Sequence, residues 1–299
     1  MSDLPLDQVR TLLAVVDEGT FDAAAAALQV TPSAISQRVK ALEQRTGRVL
    51  LIRTKPVRPT ESGQVVVRFA RQLAALEQDA YRELGIADES GPARLPIAVN
   101  ADSLATWFLP ALASVPQDPP ICFELYREDE AHTAALLRAG TVLAAVTSAA
   151  EPVAGCTVRR LGLARYLPAA NPRFAARHLS GPLAECLPDA PVVVFDRRDE
   201  LQDRFVRTVT ADEPGASRVR HYVPTSEGFA DAVAAGLGWG LVPEPQAEPL
   251  LRAGRLTELA QRHVDVPLYW QQWKLDVPAL ALVADTVAAA AARSLPGYS

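Results

Sequence analysis

The chain has few cysteines and lacks a long apolar run. Its three cysteines, Cys122, Cys156 and Cys186, are far apart and odd in number, which argues against a disulfide framework or a clustered metal site and favours a reducing compartment. The longest apolar tract, Val277–Ala292, is mostly alanine and is interrupted by Asp285, so it is too short and too weakly hydrophobic to span a bilayer. The start is acidic and polar, unlike a secretory signal. We therefore expect a cytoplasmic protein without a membrane partner.

Signatures of catalysis are also scarce. The run from Gly236 to Gly240 is similar to a nucleotide loop, but it follows a predicted helix and precedes a predicted strand, the reverse of the dinucleotide-binding order. The four histidines have no ligand spacing with one another or with cysteine. No Gly-x-Ser-x-Gly elbow occurs. We expect no enzyme activity, no metal and no other cofactor.

What the chain does have is an uneven distribution of charge. Its 299 residues are 49% hydrophobic and 22% charged, which is ordinary for a globular protein of two or three domains. The net charge is −5, yet residues 31–60 hold seven basic residues and one acidic residue, a balance of +6 that leaves −11 for the other 269 residues. Because charges are screened over roughly 8 Å at cellular salt, the basic segment can attract DNA while the rest repels it. This asymmetry points to nucleic acid.

Residues 6–47 predict three short helices. Apolar residues at helical spacing stop at Gly19, and an alanine-rich helix follows. Thr31 and Pro32 then predict a third helix, because threonine caps free amides and proline suits the first helical position. Its apolar stripe consists of Ile35, Val39 and Leu42. A compact helix, a tight turn and a helix with a polar, basic outer face are typical of a helix-turn-helix that enters the DNA major groove.

The polar face of this third helix and the basic segment after it are the predicted DNA contacts. Glutamine suits adenine edges, arginine suits guanine edges, and serine is adaptable. Residues 49–60 predict a short hairpin, or wing, whose basic side chains would hold phosphates without sequence choice. The alternative is that these polar residues are only a solvated face. The predicted DNA-binding residues are Thr31, Ser33, Ser36, Gln37, Arg38 and Lys40 on the helix, and Arg53, Lys55 and Arg58 on the wing.

A long helix is predicted from Thr60 to about Leu84. Its apolar positions recur at spacings of 3, 4, 3 and 4 residues, the narrow seam of a two-helix coiled interface. These positions are Val66, Phe69, Leu73, Leu76 and Ala80. The alternative is an amphipathic helix that lies on its own domain. We prefer the dimer interpretation, and we expect the polar stretch 85–96 to be a linker.

From Leu95 onward, strands and helices alternate. This alternation predicts α/β domains with largely parallel sheets, whose ligands gather at the carboxyl ends of strands. The predicted strands are 95–99, 121–126, 142–147, 165–170, 192–195, 219–223, 239–242 and 268–273. The predicted helices are 103–115, 131–139, one near 174–179, 201–209, 228–235 and 279–294. We expect the four tryptophans to belong to the core rather than to a ligand site.

The sequence resembles the LysR-type transcriptional regulators over essentially its full length. The segments that carry this resemblance are Phe21–Ala25, Thr31–Glu43 and Thr60–Gly63. Within that family it is similar to the ArgP/LysG subgroup, which senses basic amino acids and activates a lysine/arginine exporter gene. The segments that support the subgroup are 53–61, 100–107, 128–133 and 269–276.

The resemblance implies an α+β multidomain fold. Residues 1–59 would form a winged helix-turn-helix DNA-binding domain, residues 60–91 a dimerisation linker helix, and residues 92–299 an α/β effector-binding domain similar to periplasmic binding proteins. Its subdomain I would comprise about 92–163 and 267–299, and its subdomain II about 164–266. The resemblance also places Ser33, Ser36 and Gln37 near the bases. It implies a homodimer or homotetramer that contacts RNA polymerase.

Candidate effector-binding residues follow predicted strands. A helix start near Ser103 would offer free amides to a carboxylate, although Ser103 could simply cap that helix. A cationic amino acid also needs anionic partners, and Asp129 lies where the family lines its cleft, with Glu128 or Glu130 as alternatives. Three acids in a row, at 128–130, are equally typical of a solvated loop. The predicted effector-binding residues are Ser103, Thr106, Asp129, Thr147, Asp196, Thr225, Ser226 and Glu227.

We therefore expect a sequence-specific regulator that binds double-stranded DNA at a promoter operator. A basic amino acid (lysine, arginine or histidine) would switch it, and its target would be an amino-acid exporter gene that it activates. One alternative is an architectural protein of AT-rich or curved DNA without a physiological effector. A second is an enzyme fused to a DNA anchor.

Overall fold

The computed structural model describes residues 4–84, 92–116, 118, 120–127, 130–210 and 215–297. The N-terminal helices are α1 (Leu6–Glu18), α2 (Phe21–Ala27) and α3 (Pro32–Thr46). The hydroxyl of Thr31 accepts a hydrogen bond from the Ala34 amide at 3.2 Å, which satisfies an amide that a helix start leaves free. Gly19 and Gly47 adopt left-handed φ values of 72° and 64° after α1 and α3. The N-terminal cap of α3 and the glycines that end α1 and α3 therefore agree with the sequence prediction.

The wing packs on the start of the long helix. Strands β1 (Leu51–Ile52) and β2 (Arg58–Pro59) pair antiparallel, and α4 spans Glu61–Glu83. The hydroxyl of Thr60 accepts a hydrogen bond from the Gly63 amide at 3.0 Å and donates one to the Val49 carbonyl at 2.7 Å. One side chain thus caps α4 and attaches the wing to it.

The largest sheet has seven strands and corrects the prediction of largely parallel sheets. Its main path runs β10-β6-β11-β5-β3-β4, and β9 also pairs with β6. Among the described strands of this sheet, the parallel pairs are β3–β4 and β3–β5; β6 is antiparallel to β9, β10 and β11, and β11 to β5. The strands are β3 (Ala93–Val99), β4 (Ile121–Arg127), β5 (Ala144–Thr147), β6 (Cys156–Ala170), β9 (Gly240–Pro243), β10 (Thr257–Glu258) and β11 (Val264–Trp273).

Two lobes share this sheet. In the first lobe, strands β3, β4 and β5 pack against α6 (Leu109–Ala113) and α13 (Pro278–Ser294), and Phe108 and Trp270 lie in its core. The stretch before α6 consists of α5 (Ala101–Ser103) and a π-helical segment (Leu104–Phe108), and α7 spans Glu130–Arg138. Strands β6 and β11 run on from this lobe into the second, so two long antiparallel strands connect them.

The second lobe contains a small parallel sheet and most of the shorter helices. Strand β7 (Val192–Val194) pairs with β8 (Arg220–Tyr222). The helices are α8 (Pro172–His178), α9 (Leu183–Cys186), α10 (Leu201–Thr210), α11 (Ser226–Ala235) and α12 (Glu244–Arg252). The sequence prediction did not include α9, α12, β10 or the first half of β6.

The tryptophans are core residues, as predicted: Trp107, Trp239, Trp270 and Trp273 are at most 6% exposed. No helix in the described part of the chain is both long and apolar enough to cross a membrane.

Candidate functional site

The outer face of α3 is polar and open to solvent. Ser33, Ser36, Gln37 and Lys40 are exposed, while Ile35, Val39 and Leu42 on the opposite face are fully buried. Thr31 is also exposed at the start of the helix, where its hydroxyl lies 3.0 Å from that of Ser33. A short helix that is held by a buried stripe and presents amide, hydroxyl and ammonium groups outward can read base edges in a major groove.

Arg38 differs from the other predicted residues of α3. It is half-buried, and its guanidinium lies 3.5 Å from the Thr11 hydroxyl and 3.9 Å from the Asp7 carboxylate, both on α1. The Arg38 side chain is still 37% exposed, so its predicted contact with DNA stays a prediction, although these contacts turn it toward α1. The reason is tertiary, because α1 crosses beside this position.

The wing presents the cations that were predicted to hold phosphates. Arg53, Lys55 and Arg58 are all exposed. The Arg53 guanidinium also lies over the Phe21 ring, 5.6 Å from its centroid, which positions it beside α2. Cations on a loop next to α3 can contact the DNA backbone while α3 is in the groove.

Two of the predicted effector residues on the first lobe, Ser103 and Thr106, follow β3 in α5 and the π-helical segment, and a third, Thr147, lies at the end of β5. Helix α5 begins at Ala101, two residues before the predicted start, so the alternative that Ser103 only caps it does not hold, and Ser103 is 2% exposed in the first turn. The Thr106 hydroxyl donates to the Asp102 carbonyl at 2.6 Å. Thr147 ends β5 and is 3% exposed, and its hydroxyl accepts a bond from the Ala149 amide at 3.2 Å.

Asp102, which the sequence analysis did not select, connects the two lobes. Its carboxylate accepts a hydrogen bond from the Ser226 hydroxyl at 2.6 Å and another from the Tyr166 hydroxyl at 2.7 Å. Ser226 is 2% exposed and begins α11 in the second lobe, while Tyr166 is on β6. The signal that could have found Asp102 is its position just after the carboxyl end of β3.

The surroundings of Asp102 disfavour its negative charge. Burial raises the pKa of Asp102, the bonds from Ser226 and Tyr166 oppose that rise, and the nearby carboxylates of Asp199 and Glu227 add to it. A carboxyl with a raised pKa in a cleft is a functional-site candidate.

The predicted residues of the second lobe have different surroundings. Ser226 is turned toward Asp102, and its hydroxyl also lies 3.2 Å from the Gln246 side-chain oxygen. Thr225 and Glu227 are exposed beside it. Asp196 accepts bonds from the Arg198 and Asp199 amides at 2.7 and 3.1 Å, so one of its oxygens is engaged in its own loop. Asp129 lies outside the described residues, as does its neighbour Glu128.

Two family profiles match the chain. Residues 6–64 match the bacterial regulatory helix-turn-helix proteins of the lysR family, and residues 89–292 match the LysR substrate binding domain. The lysine export transcriptional regulatory protein LysG of Corynebacterium efficiens is 46% identical over 298 residues, which cover 99% of this chain and 99% of that protein.

Solved structures are similar over nearly the whole chain. The crystal structure of ArgP from Mycobacterium tuberculosis has a TM-score of 0.89 at 46% identity, covering 97% of this chain and 98% of that one. Full-length LysG from Corynebacterium glutamicum with bound effector arginine has a TM-score of 0.80 at 43% identity, covering 98% of this chain and 99% of that one.

Proposed function

The chain belongs to the LysR family of bacterial helix-turn-helix regulators, and we propose that it is a transcriptional regulator that a basic amino acid switches. The main observation in support of a DNA-binding regulator is the exposed polar face of α3 beside the basic wing. Helix α4 joins this domain to a two-lobed domain with a cleft. The effector class is supported by the arginine bound to LysG from Corynebacterium glutamicum.

In this proposal α3 enters the major groove of a promoter operator. Ser33, Ser36 and Gln37 contact base edges, whereas Thr31, Arg38 and Lys40 contribute from the rest of the helix. Arg38 would first have to leave the contacts with α1. Arg53, Lys55 and Arg58 bind phosphates, so they supply affinity that falls as salt rises.

The effector binds between the two lobes. Ser103, Thr106 and Thr147 would contribute from the first lobe, together with Asp129, and Asp196, Thr225, Ser226 and Glu227 from the second. A ligand that binds one relative orientation of the lobes more tightly shifts the population toward it and so changes how the DNA-binding domains are held. A ligand with equal affinity for both orientations would change nothing.

The proposal also includes the gene that the protein regulates and its oligomeric state. Relatives that are named as lysine export regulators support an amino-acid exporter gene as the target, which this protein would activate. In this proposal residues 1–59 bind DNA, residues 60–91 form the dimer contact, and residues 92–299 bind the effector. Two α4 helices would pair to form a homodimer, with a homotetramer as the larger assembly, and RNA polymerase would be contacted at the promoter. DNA binding requires the cytoplasm, where bacterial DNA is located.

The DNA part is tested by footprinting on the region upstream of the protein's own gene, with and without lysine or arginine. We expect a discrete protected site that changes in extent when the amino acid is added. Gln37→Ala should lose preference for that site over competitor DNA but keep weak binding. A wild-type protein without any preference at moderate ionic strength would contradict the proposal.

The effector part is tested by thermal unfolding of the full chain with each of the amino acids. Stabilisation by lysine, arginine or histidine alone is expected, because a ligand that binds only the folded state raises its apparent stability. A flat panel would favour the architectural DNA-binding protein, and turnover of a bound ligand would favour the enzyme fused to a DNA anchor.

A further inference from the structure

Asp102 is a carboxylate in the cleft with neutral partners. Its carboxylate accepts hydrogen bonds from two hydroxyl groups, those of Ser226 and Tyr166. Among the described residues, no lysine, arginine or histidine lies within ion-pair distance of it. Arg165 is the nearby cation, but both of its bonds, at 2.9 and 3.0 Å, go to Asp265. A desolvated carboxylate without a counter-ion is costly, so this arrangement favours a cation that comes from outside the chain.

The space beside Asp102 is too small for a ligand as the lobes now lie. A cavity of about 30 Å³ is lined by Asp102, Tyr166 and residues of α12 and the C-terminal segment, and such a volume holds only one or two water molecules. Ser226 and α11 do not line this cavity; the Ser226 hydroxyl covers the carboxylate from the second lobe, so a ligand that approaches Asp102 between the lobes has to displace it. The Asp102–Ser226 bond is therefore a contact that a ligand must replace.

The charge around Asp102 decides which end of an amino acid it can meet. Asp199 and Glu227 are close enough to raise the pKa of Asp102 electrostatically. Three carboxylates would repel the α-carboxylate of an amino acid but attract a side-chain cation, which methylene groups separate from that carboxylate.

We infer that Asp102 is the residue that selects a cationic side chain, by exchanging its hydrogen bonds from Ser226 and Tyr166 to the ligand's ammonium or guanidinium group. This rests on the proposed function, because it names the residue that distinguishes basic from neutral amino acids within that cleft.

Replacing the hydrogen bonds of Asp102 with a ligand cation couples ligand binding to release of a proton from that carboxyl group. In the empty cleft, burial raises the pKa of the Asp102 carboxyl, whereas a bound cation favours its ionised form. Between the ordinary and the raised pKa, binding therefore releases a proton, and affinity weakens as the pH falls through the raised value. The titratable and charged groups around it are Tyr166, Asp199, Glu227, Arg165 and Glu244.

The test measures arginine and citrulline binding to the full-length protein by calorimetry. Citrulline has nearly the shape of arginine without its side-chain charge. We expect the wild type to prefer arginine by on the order of 30-fold, as for a desolvated charge pair that loses one charge, and Asp102→Asn to lose most of that preference. The matched control Tyr166→Phe removes one donor but keeps the carboxylate, so it should retain the preference.

A second measurement does not depend on a variant's folding. At a pH below the raised pKa of Asp102, titration of the wild type with arginine in buffers of different ionisation enthalpy should show proton release, and citrulline should show none. Preference and proton release that persist in a folded Asp102→Asn variant would overturn the inference and leave the proposed function intact. A loss of preference in Glu227→Gln instead would assign the cation to Glu227. A wild type that binds neither ligand, or both equally, would contradict the proposed effector class and the inference with it.

Discussion

The ion pairs of this chain differ in burial more than in distance. Asp203 receives two bonds from the Arg220 guanidinium at 2.7 and 2.9 Å and one from the Ala216 amide at 2.8 Å, and its side chain is 12% exposed. The pair Arg159–Asp285 is only slightly longer, at 3.0 Å, but its side chains are 47% and 80% exposed. Because water screens exposed charges, only the first pair should contribute measurably to stability.

Asp203→Asn is expected to destabilise the second lobe by about 2 kcal/mol, since it weakens charge-assisted bonds that also attach α10 to the segment before β8. The bond from Arg220 lowers the pKa of Asp203 below 3.8, against the effect of burial. This stabilisation is present above the unfolded pKa and is lost as the pH falls through the lower folded value. Denaturant unfolding from pH 7 to pH 3 should show a smaller acid-dependent loss in the variant. Asp285→Asn is the control, and equal effects of the two substitutions would contradict the argument.

At the level of elements, helix α4 supports the wing at its N-terminal end and exposes large apolar side chains farther along. A Cβ on Gly63 would lie 1.9 Å from the Leu50 carbonyl oxygen, so only glycine lets the wing approach α4 this closely. Farther along, Val66 belongs to the core of the DNA-binding domain, so its assignment to an intersubunit seam is wrong. The exposed large apolar residues of the helix are Val65, Phe69, Leu76 and Tyr81, and Leu84 follows directly after it.

Gly63→Ala should displace the wing from α4 and cost about 1–3 kcal/mol, as is usual for overpacking. DNA affinity should fall with stability, because Arg53, Lys55 and Arg58 move with the wing. Unfolding curves and DNA titrations of the full chain would measure both. Gln64→Ala, at the next and exposed position, should change neither, and a Gly63→Ala protein with wild-type stability would disprove the close packing.

Leu76→Asp should weaken self-association, because it places a charge on the exposed apolar side of α4 that we propose a second subunit covers. Sedimentation velocity over a concentration series should show a shift toward monomer by at least about tenfold in concentration. Gln64→Asp adds the same charge at another exposed position and serves as the control. If Leu76→Asp sediments like the wild type, α4 is not the pairing surface.

Across the whole molecule, α4 is where the DNA-binding domain meets the first lobe. Arg71 donates to the Asp17 carboxylate at 2.5 Å and to the Thr141 hydroxyl at 2.9 Å. The Arg68 guanidinium lies 5.4 Å from the centroid of the Trp273 ring. Beside these contacts is a cleft of about 470 Å³ between α1, α4 and strands β3 and β4. The junction is thus polar and incompletely packed, which suits two parts that move relative to each other.

Arg71→Ala should loosen this junction with little loss of stability, about 1 kcal/mol or less, because the pair is partly exposed. Small-angle scattering should show a larger radius of gyration, and amides near Thr141 should exchange faster with deuterium. Arg10→Ala removes a contact between α1 and α4 and should leave Thr141 unaffected. Unchanged scattering and exchange for Arg71→Ala would show that Arg71 does not hold the junction.

The helices of the DNA-binding domain and most later elements could be predicted because their signals are local. Thr31, Pro32 and Gly47 act on amides and carbonyls within a few residues, and apolar spacing follows from helix geometry alone. Thr60 likewise begins α4 as expected. The first half of β6 was missed because exposed residues such as Arg159 and Arg160 interrupt the alternation that a half-buried strand shows.

Other features depended on contacts between residues far apart in the chain. The antiparallel course of β6 and β11, the attachment of Arg38 to α1 and the burial of Val66 are set by which elements pack together. The partners of Asp102, at 166 and 226, come from another strand and another lobe. Local patterns report hydrogen bonds within a helix turn, whereas the pKa of a cleft carboxyl depends on the burial and the donors that the assembled lobes provide.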